Sequence, residues 1–207
     1  MKGLLMKDLL YLRQMGRALV VIFLVYVALF AVSGVKNIGS GADSIIVMMT
    51  VILTINTFAY DEKSNWDGFG LSLPIGRKLA VVEKYVLVVL FSGVISLLLL
   101  VASLAGGGFT ADYGLNIFAG FGIALLFPAI LIPLFYKFGM QSARIGIMLF
   151  FIVPVLVIAL WKKIGFPLPS LTDAAVEQFL WFFPVLVLVL YLISFLISCA
   201  VYANKEI

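Results

Sequence analysis

Six stretches of this chain run at membrane-spanning length without a single charged side chain: residues 18–35, 44–60, 85–105, 115–136, 145–161 and 179–203. A helix needs about 20 mostly apolar residues to cross the hydrocarbon core of a bilayer, with roughly 17 to 25 observed. In lipid, every backbone N–H and C=O must find its partner inside the protein, so only helices and closed barrels can span. Barrel strands alternate apolar and polar residues, and these runs do not. The sequence therefore predicts an all-α integral membrane protein with six transmembrane helices, folded as one domain over residues 1–207.

Composition agrees. The 207 residues are 64% hydrophobic and 12% charged, whereas soluble globular chains are roughly 45–50% apolar and about 25% charged. So few charges cannot supply a polar surface for a soluble core of this size. With Cys199 as the lone cysteine, no intrachain disulfide or thiolate metal cluster can form. The absence of histidine removes zinc sites of the His-Glu-x-x-His kind, Ser-His and Cys-His hydrolases and the usual proton shuttle. Gly106, Gly107 and Gly108 precede Phe109 and Thr110 but no lysine, so there is no phosphate-binding loop of the ATPase kind. No cofactor is expected on this chain, nor a nucleic-acid partner.

Orientation follows from the basic residues. With the N-terminus in the cytoplasm, the inner segments hold Lys2, Lys7, Arg13, Arg17, Lys63, Arg77, Lys78, Lys84, Lys137, Arg144 and Lys205, against Lys36, Lys162 and Lys163 outside. Both termini are thus expected inside. Ahead of the first span, residues 1–17 place Met1, Leu4, Leu5, Leu9, Tyr11, Leu12 and Met15 on one half of a helical wheel. Lys2, Lys7, Arg13, Gln14 and Arg17 fall on the other half, which suggests an interfacial helix with its basic side toward headgroups. Asp8 on the apolar half, with Met6 and Leu10 on the basic half, breaks the pattern. The plainer alternative is a charged flank that only sets topology. The leader and the apolar run are long for a cleaved signal peptide, so the first span is expected to be retained.

The outer segment 162–178 contains Pro167 and Pro169, followed by Ser170, Thr172, Asp173 and Glu177. It reads as a capped helix start in a re-entrant piece, or as a surface loop. No charge lies near the centre of any predicted span, which argues against an ion-coupled carrier. Thr50, Thr54, Asn56 and Thr57, with Ser92 and Ser96, could form a weakly polar wall along a pathway. The competing reading is hydroxyls bonded to carbonyls of their own helices. Gly120 and Ala124 permit close helix approach, and Pro128, Pro133, Pro154 and Pro184 are expected to kink their spans.

The polar exception is residues 58–85, FAYDEKSNWDGFGLSLPIGRKLAVVEKY. It mixes Asp61, Glu62, Lys63, Asp67, Arg77, Lys78, Glu83 and Lys84 with Trp66, Phe69, Leu71, Leu73 and Ile75, while Pro74 and Gly76 divide it. Apolar anchors inside a charged rim fit a protein interface. Aromatics dipping into the inner leaflet would explain them equally well.

The positions Glu62, Lys63, Leu71, Leu73, Pro74, Ile75, Arg77, Lys84 and Tyr85 resemble the intracellular segment of bacterial type-2 ATP-binding-cassette (ABC) exporter permeases. That family's pattern is Asp/Glu-Glu-Lys, then Leu-x-Leu-Pro-Ile/Val-Ser-Arg, then Lys-Tyr entering the third span; Gly76 stands where Ser is usual. The start MKGLLMKDLLYLRQ is similar to the family's N-terminal elbow helix, with Lys7 and Asp8 matching its Lys-Asp pair and Arg13 in the same helix. In size and layout the likeness covers the whole chain, nearest to the small phenol-soluble modulin exporter permeases.

The resemblance implies a multi-pass permease of the bacterial cell membrane, with an elbow helix over 1–17 and a cytoplasmic coupling segment over 61–84. Asp61, Glu62, Lys63, Trp66, Phe69, Leu71, Leu73, Pro74, Arg77 and Lys78 would meet a separate nucleotide-binding ATPase subunit that carries ATP and Mg. A second permease, identical or paralogous, would complete the pathway. The apolar spans suggest an amphipathic or hydrophobic cargo such as a peptide toxin, an antimicrobial or a lipid. The alternative is a non-transporting scaffold or sensor that recruits a cytoplasmic partner. A membrane enzyme is disfavoured, because the spans hold no histidine, paired carboxylates or metal constellation.

Overall fold

The computed structural model describes residues 42–66, 68, 76–105, 111–164 and 173–204, together with scattered positions between 6 and 28. Side chains are described for a subset of these, which excludes 141–181. Four helices account for the continuous part: α1 (Ala42–Lys63), α2 (Arg77–Ala105), α3 (Ala111–Ile164) and α4 (Asp173–Ala203). The described positions between 6 and 28 are helical too, and no strand occurs among the described residues.

Four segments are long and apolar enough to cross a membrane: Ser44–Lys63, Arg77–Leu104, Tyr113–Met140 and Phe182–Ala203. They match four of the six expected spans. A fifth, 145–161, lies in the helical backbone of α3, with side chains outside the described set. Much of 18–35 also lies outside it. The 29 residues of α2 extend about 44 Å at 1.5 Å per residue, against a hydrocarbon thickness of about 30 Å. Helical structure thus begins at Arg77, eight residues earlier than the apolar run from Tyr85 suggests. Hydrogen bonds within a helix continue to be made where its polar end leaves lipid, so hydropathy marks the core of a span and not its full length.

Contacts between helix ends establish the arrangement. The Arg77 guanidinium at the start of α2 donates to the Ala203 carbonyl at the end of α4 (2.6 Å). The Met140 N–H of α3 donates to Glu62 at the end of α1 (2.8 Å). The end of α1, the start of α2, the middle of α3 and the end of α4 therefore gather at one charged end of the bundle. Beneath it lies a core of Phe58, Val81, Val88, Leu131, Ile132, Phe135 and Val187. A second core, with Ile45, Ile46, Met49, Ile95, Leu99, Tyr113 and Ile117, occupies the opposite half. α3 is the most buried of the four spans and α4 the least; Phe182, Leu188 and Leu196 of α4 point outward, where lipid would cover them. Gly120 and Ala124 are buried along α3, and at Gly122 an added Cβ would come within 2.5 Å of the Phe183 ring.

The sequence suggests a connection between spans at 137–144, and the helical run Ala111–Ile164 is two helices that meet at a break inside that stretch, at Gly139 (φ 73, ψ 171). Pro128 and Pro133 keep helical dihedrals, and the break in the run falls at Gly139. The acidic helix start at Asp173 belongs to α4 itself and not to a separate short helix; residues 165–172 lie outside the described set.

Gly139 adopts a conformation essentially restricted to glycine, while nothing lies within 4 Å of the place its Cβ would occupy. Gly139→Ala should therefore destabilise the protein by about 1–3 kcal/mol through backbone strain alone. Gly93→Ala, in the regular part of α2 with equally open surroundings, should be neutral or stabilising by up to about 1 kcal/mol. Thermal unfolding of both variants in the same detergent checks the contrast.

Candidate functional site

α1 ends because the chain turns at Asn65. That residue takes φ 52, a left-handed conformation that asparagine tolerates better than most residues. The Ser64 and Asn65 N–H groups close the end on the carbonyls of Tyr60 (2.9 Å) and Glu62 (3.1 Å). The last turn of α1 is thereby held in register, with Asp61 facing inward and Glu62 facing α3.

Asp61 stands in a closed ring of four charges. Lys7 reaches Asp61 Oδ1 at 2.7 Å, Lys84 reaches Asp61 Oδ2 at 2.7 Å, and Lys84 also reaches Asp8 Oδ2 at 2.7 Å. Lys7 closes the ring on Asp8 Oδ1 at 3.3 Å. Asp8 is fully buried, and Lys84 has 5% of its side chain exposed. The ring is electrically neutral and joins three parts of the chain: the N-terminal segment, the end of α1 and the eighth residue of α2. Aromatic faces complete the cations' surroundings, with Lys7 Nζ 4.0 Å from the centroid of Trp66 and Lys84 Nζ 5.5 Å from that of Phe58. Tyr11 and Tyr60 stack beside it, their centroids 3.7 Å apart.

Burial pushes the Asp8 carboxyl up, but the Lys84 ammonium, a hydrogen bond with Glu83, the hydrogen bond to Lys84 and the charge of Lys7 together hold it below the usual carboxylate range. Asp8 thus stays ionised at neutral pH. A depressed pKa means that its contribution to stability is complete above the unfolded value of about 3.9 and is lost only as pH falls through the lower folded value.

The ring explains the flaw in the N-terminal wheel. Asp8 sits on the apolar half because its carboxylate turns to the bundle, where it meets Lys84. Met6 and Leu10, on the basic half, are exposed, on the side where lipid would lie. The expectation that Lys7 points to headgroups is overturned, since its side chain is 12% exposed and turned inward. Arg13 and Arg17 do remain exposed.

The expected interface residues separate into groups. Asp61 is buried in the ring, and Trp66 is half-buried beneath Lys7. Glu62 is exposed but bonds the Met140 N–H directly after the break at Gly139. A carboxylate on a helix's first N–H groups satisfies an unpaired donor and opposes the helix dipole favourably. Lys63 and Lys78 are exposed, as is Arg77, which meets the end of α4. Phe69, Leu71, Leu73 and Pro74 lie outside the described residues, although Trp66 and Gly68 are helical.

The hydroxyls proposed along a pathway turn to their own helices. Thr50 donates to the Ile46 carbonyl, Thr54 to Thr50, Thr57 to Thr54, Ser92 to Val88 and Ser96 to Ser92, at 2.7–2.9 Å. Thr50, Thr54, Thr57 and Ser92 are buried, and Asn56 is half-buried.

A second polar cluster was not anticipated. Tyr85 shares hydrogen bonds with Ser194 (2.6 Å) and Ser198 (2.8 Å) of α4. Ser194 also meets the Ala129 carbonyl of α3, and Tyr191 donates to the Tyr85 carbonyl (2.9 Å). Lys84 and Tyr85 are consecutive and about 100° apart on the helix, so one serves the ion ring and the other pins α4. Ser194 and Ser198, one turn apart, were the available signal. Beside the ion ring, with Asp61 and Lys84 in its wall, is a cavity of about 260 Å³ also lined by Phe58, Glu62, Glu83, Tyr136 and Tyr202. Among the described residues no group of His, Cys, Asp or Glu could hold a metal ion.

Removing Lys84 would leave two buried carboxylates without their shared cation, a loss of about 3–5 kcal/mol. Lys84→Met should therefore lower thermal stability sharply. Adding Asp8→Asn should recover part of the loss, because an uncompensated charge goes with it. Unfolding midpoints of the wild type, both single variants and the double variant test this coupling.

Comparison with known proteins gives one match. The family model described as ABC-2 family transporter protein matches residues 3–203. No curated protein and no solved structure matches the chain.

Proposed function

The chain belongs to the ABC-2 family of transporter proteins, and from that premise we propose that it is the permease subunit of an ATP-driven exporter, with both termini in the cytoplasm and six spans in the bacterial cell membrane. Membership implies a membrane location and an ATPase partner, and the four apolar spans agree with it. ATP and Mg belong to the partner subunits. A second permease, identical or paralogous, completes the pathway.

The observation that carries the coupling reading is the pair of linkages at the charged end. The ion ring fastens residues 7 and 8 to both helices flanking the connection 64–76. Glu62 links the same place to the break in α3. A push on that connection would reach the N-terminal segment through Asp61 and Lys84, and α3 through Glu62. We therefore assign the segment 61–84 to coupling, with residues 1–17 as the elbow that moves with it. The segment is a relay built on helix ends, in which Asp61, Trp66 and Lys84 work inside the subunit. Leu71 and Leu73 supply contact to the ATPase, and Lys63 and Lys78 supply its rim.

The cargo class rests on the apolar character of the spans. An apolar recess of about 260 Å³ between α3 and α4, lined by Phe118, Leu125, Phe183, Val187 and their neighbours, suits the hydrophobic side of an amphipathic peptide or a lipid. A small phenol-soluble modulin exporter would be a system of this kind.

Leu73→Asp tests the interface without touching the ring. In membranes containing the cognate ATPase subunit it should insert normally but lose ATPase stimulation and export by at least about tenfold, the effect of about 1.4 kcal/mol. Normal stimulation by this variant would remove the docking assignment and leave a non-transporting scaffold as the better account.

A further inference from the structure

Next to the neutral ring is a carboxyl group with no cation left among the described residues to pair with it. Glu83 is 1% exposed and Asp8 is fully buried. The Lys84 ammonium is directed to Asp8 Oδ2 and Asp61 Oδ2, and Lys7 is closest to Asp61 Oδ1. The two lysines are thus matched by two aspartates, which leaves Glu83 as a fifth charged group. Glu83 Oε1 and Asp8 Oδ1 are buried and accept no hydrogen bond from an N–H or a hydroxyl, although Lys7 Nζ lies 3.3 Å from Asp8 Oδ1 in the ring; a hydrogen bond between the two carboxyl groups, which helps to hold Asp8 low, would satisfy both oxygens. Two ionised carboxylates are acceptors only, so one proton is required to join them. Asp8 is the member held anionic, because Lys84 and Lys7 surround it. The proton therefore belongs on Glu83, whose O–H donates to Asp8.

We propose that Glu83 and Asp8 form a one-proton binding site that fastens the N-terminal segment to α2 when occupied and loosens it when empty. Release converts the Glu83 carboxyl to carboxylate and delivers H⁺ to water through the cavity beside it. The groups facing that cavity are Asp61 and Glu62 from α1, Lys84 from α2, Tyr136 from α3 and Tyr202 from α4, with Lys7 behind Asp61. The carboxylates favour keeping the proton. The lysines oppose it weakly, since their charge is already neutralised. On release the cluster passes from neutral to a single net negative charge buried between two chain segments, and the two carboxylates repel.

The sign is opposite to that of an ion-paired acid. An acid that holds its proton more tightly in the folded state loses stability as pH rises from its unfolded value of about 4.3 through its folded value. Fully buried glutamates are documented to titrate as high as about 8–9. Acid therefore keeps the N-terminal segment in place until Asp8 itself is protonated, and alkali releases it.

The test uses the full chain in lipid nanodiscs and needs no ATPase, so its outcome is separate from the transport reading. Infrared difference spectra of the wild type at about pH 7 should contain the carbonyl stretch of an un-ionised carboxyl group, absent in Glu83→Gln and lost from the wild type as pH is raised to about 10. Spin labels on cysteines replacing the exposed Leu10 and Lys78, with Cys199→Ser, should separate over the same pH range. In the Glu83→Gln background the distance should stay constant, because the carboxamide keeps a donor on Asp8 at every pH. A neutral-pH spectrum without a band removed by Glu83→Gln would overturn the proposal. So would separation of the labels with pH to the same extent in Glu83→Gln.

Discussion

The closed ring of Lys7, Asp61, Lys84 and Asp8 is the interaction on which the charged end of this protein depends. Taking four ions out of water is costly, and it is tolerated only where each ion has opposite charges at bonding distance and the sum is zero. Both oxygens of Asp61 and the single ammonium of Lys84 are used in two directions, so no member can move without leaving another unpaired. That makes the junction of three chain segments stiff, and it makes the junction fail as a unit.

Stiffness at the ring contrasts with the backbone of α3. At Gly139 the helix gives up its regular dihedrals, and the N–H at its restart would have no partner within its own helix. Glu62 supplies one from the end of α1. The cap comes from the penultimate residue of α1, next in sequence to Asp61 of the ring. Hence the helix ends flanking the connection between α1 and α2 make two linkages: an ionic one to the N-terminal segment and a hydrogen-bonded one to α3. Deeper in the bundle, Tyr85 with Ser194 and Ser198 pins α4 to α2, where the alternative for each hydroxyl is an unsatisfied polar group in an apolar medium.

The lipid-facing surface makes no comparable demand. Leu97, Val185, Leu188 and Leu196 are exposed and need only be apolar, which is why hydropathy alone locates the spans on which they lie. The threonines of α1 and serines of α2 are polar in the sequence but silent in the fold, since they return their hydrogen bonds to their own helix.

By itself the sequence determined that this chain lives in a bilayer, is helical, has no phosphate-binding loop for ATP, and carries its polar exception between the second and third predicted spans. Those conclusions rest on run length, composition and absent residue types, which no folding step can change. Lys7 with Asp8, Glu62 with Lys63, and Lys84 with Tyr85 were also legible as motif residues. Their partners were not, because Lys84 meets Asp8 across 76 residues, and charge sequence carries no information on which distant acid a lysine will reach. A helical wheel likewise marked Asp8 as a misfit without saying what it faced. Tertiary structure alone decided that Asp8, Asp61 and Lys84 are buried together, that Tyr85 pins α4 through Ser194 and Ser198, and that Glu62 caps α3 after its break at Gly139. The physical reason is common to all three: each depends on which helix lies alongside, and packing settles that only after every helix has formed.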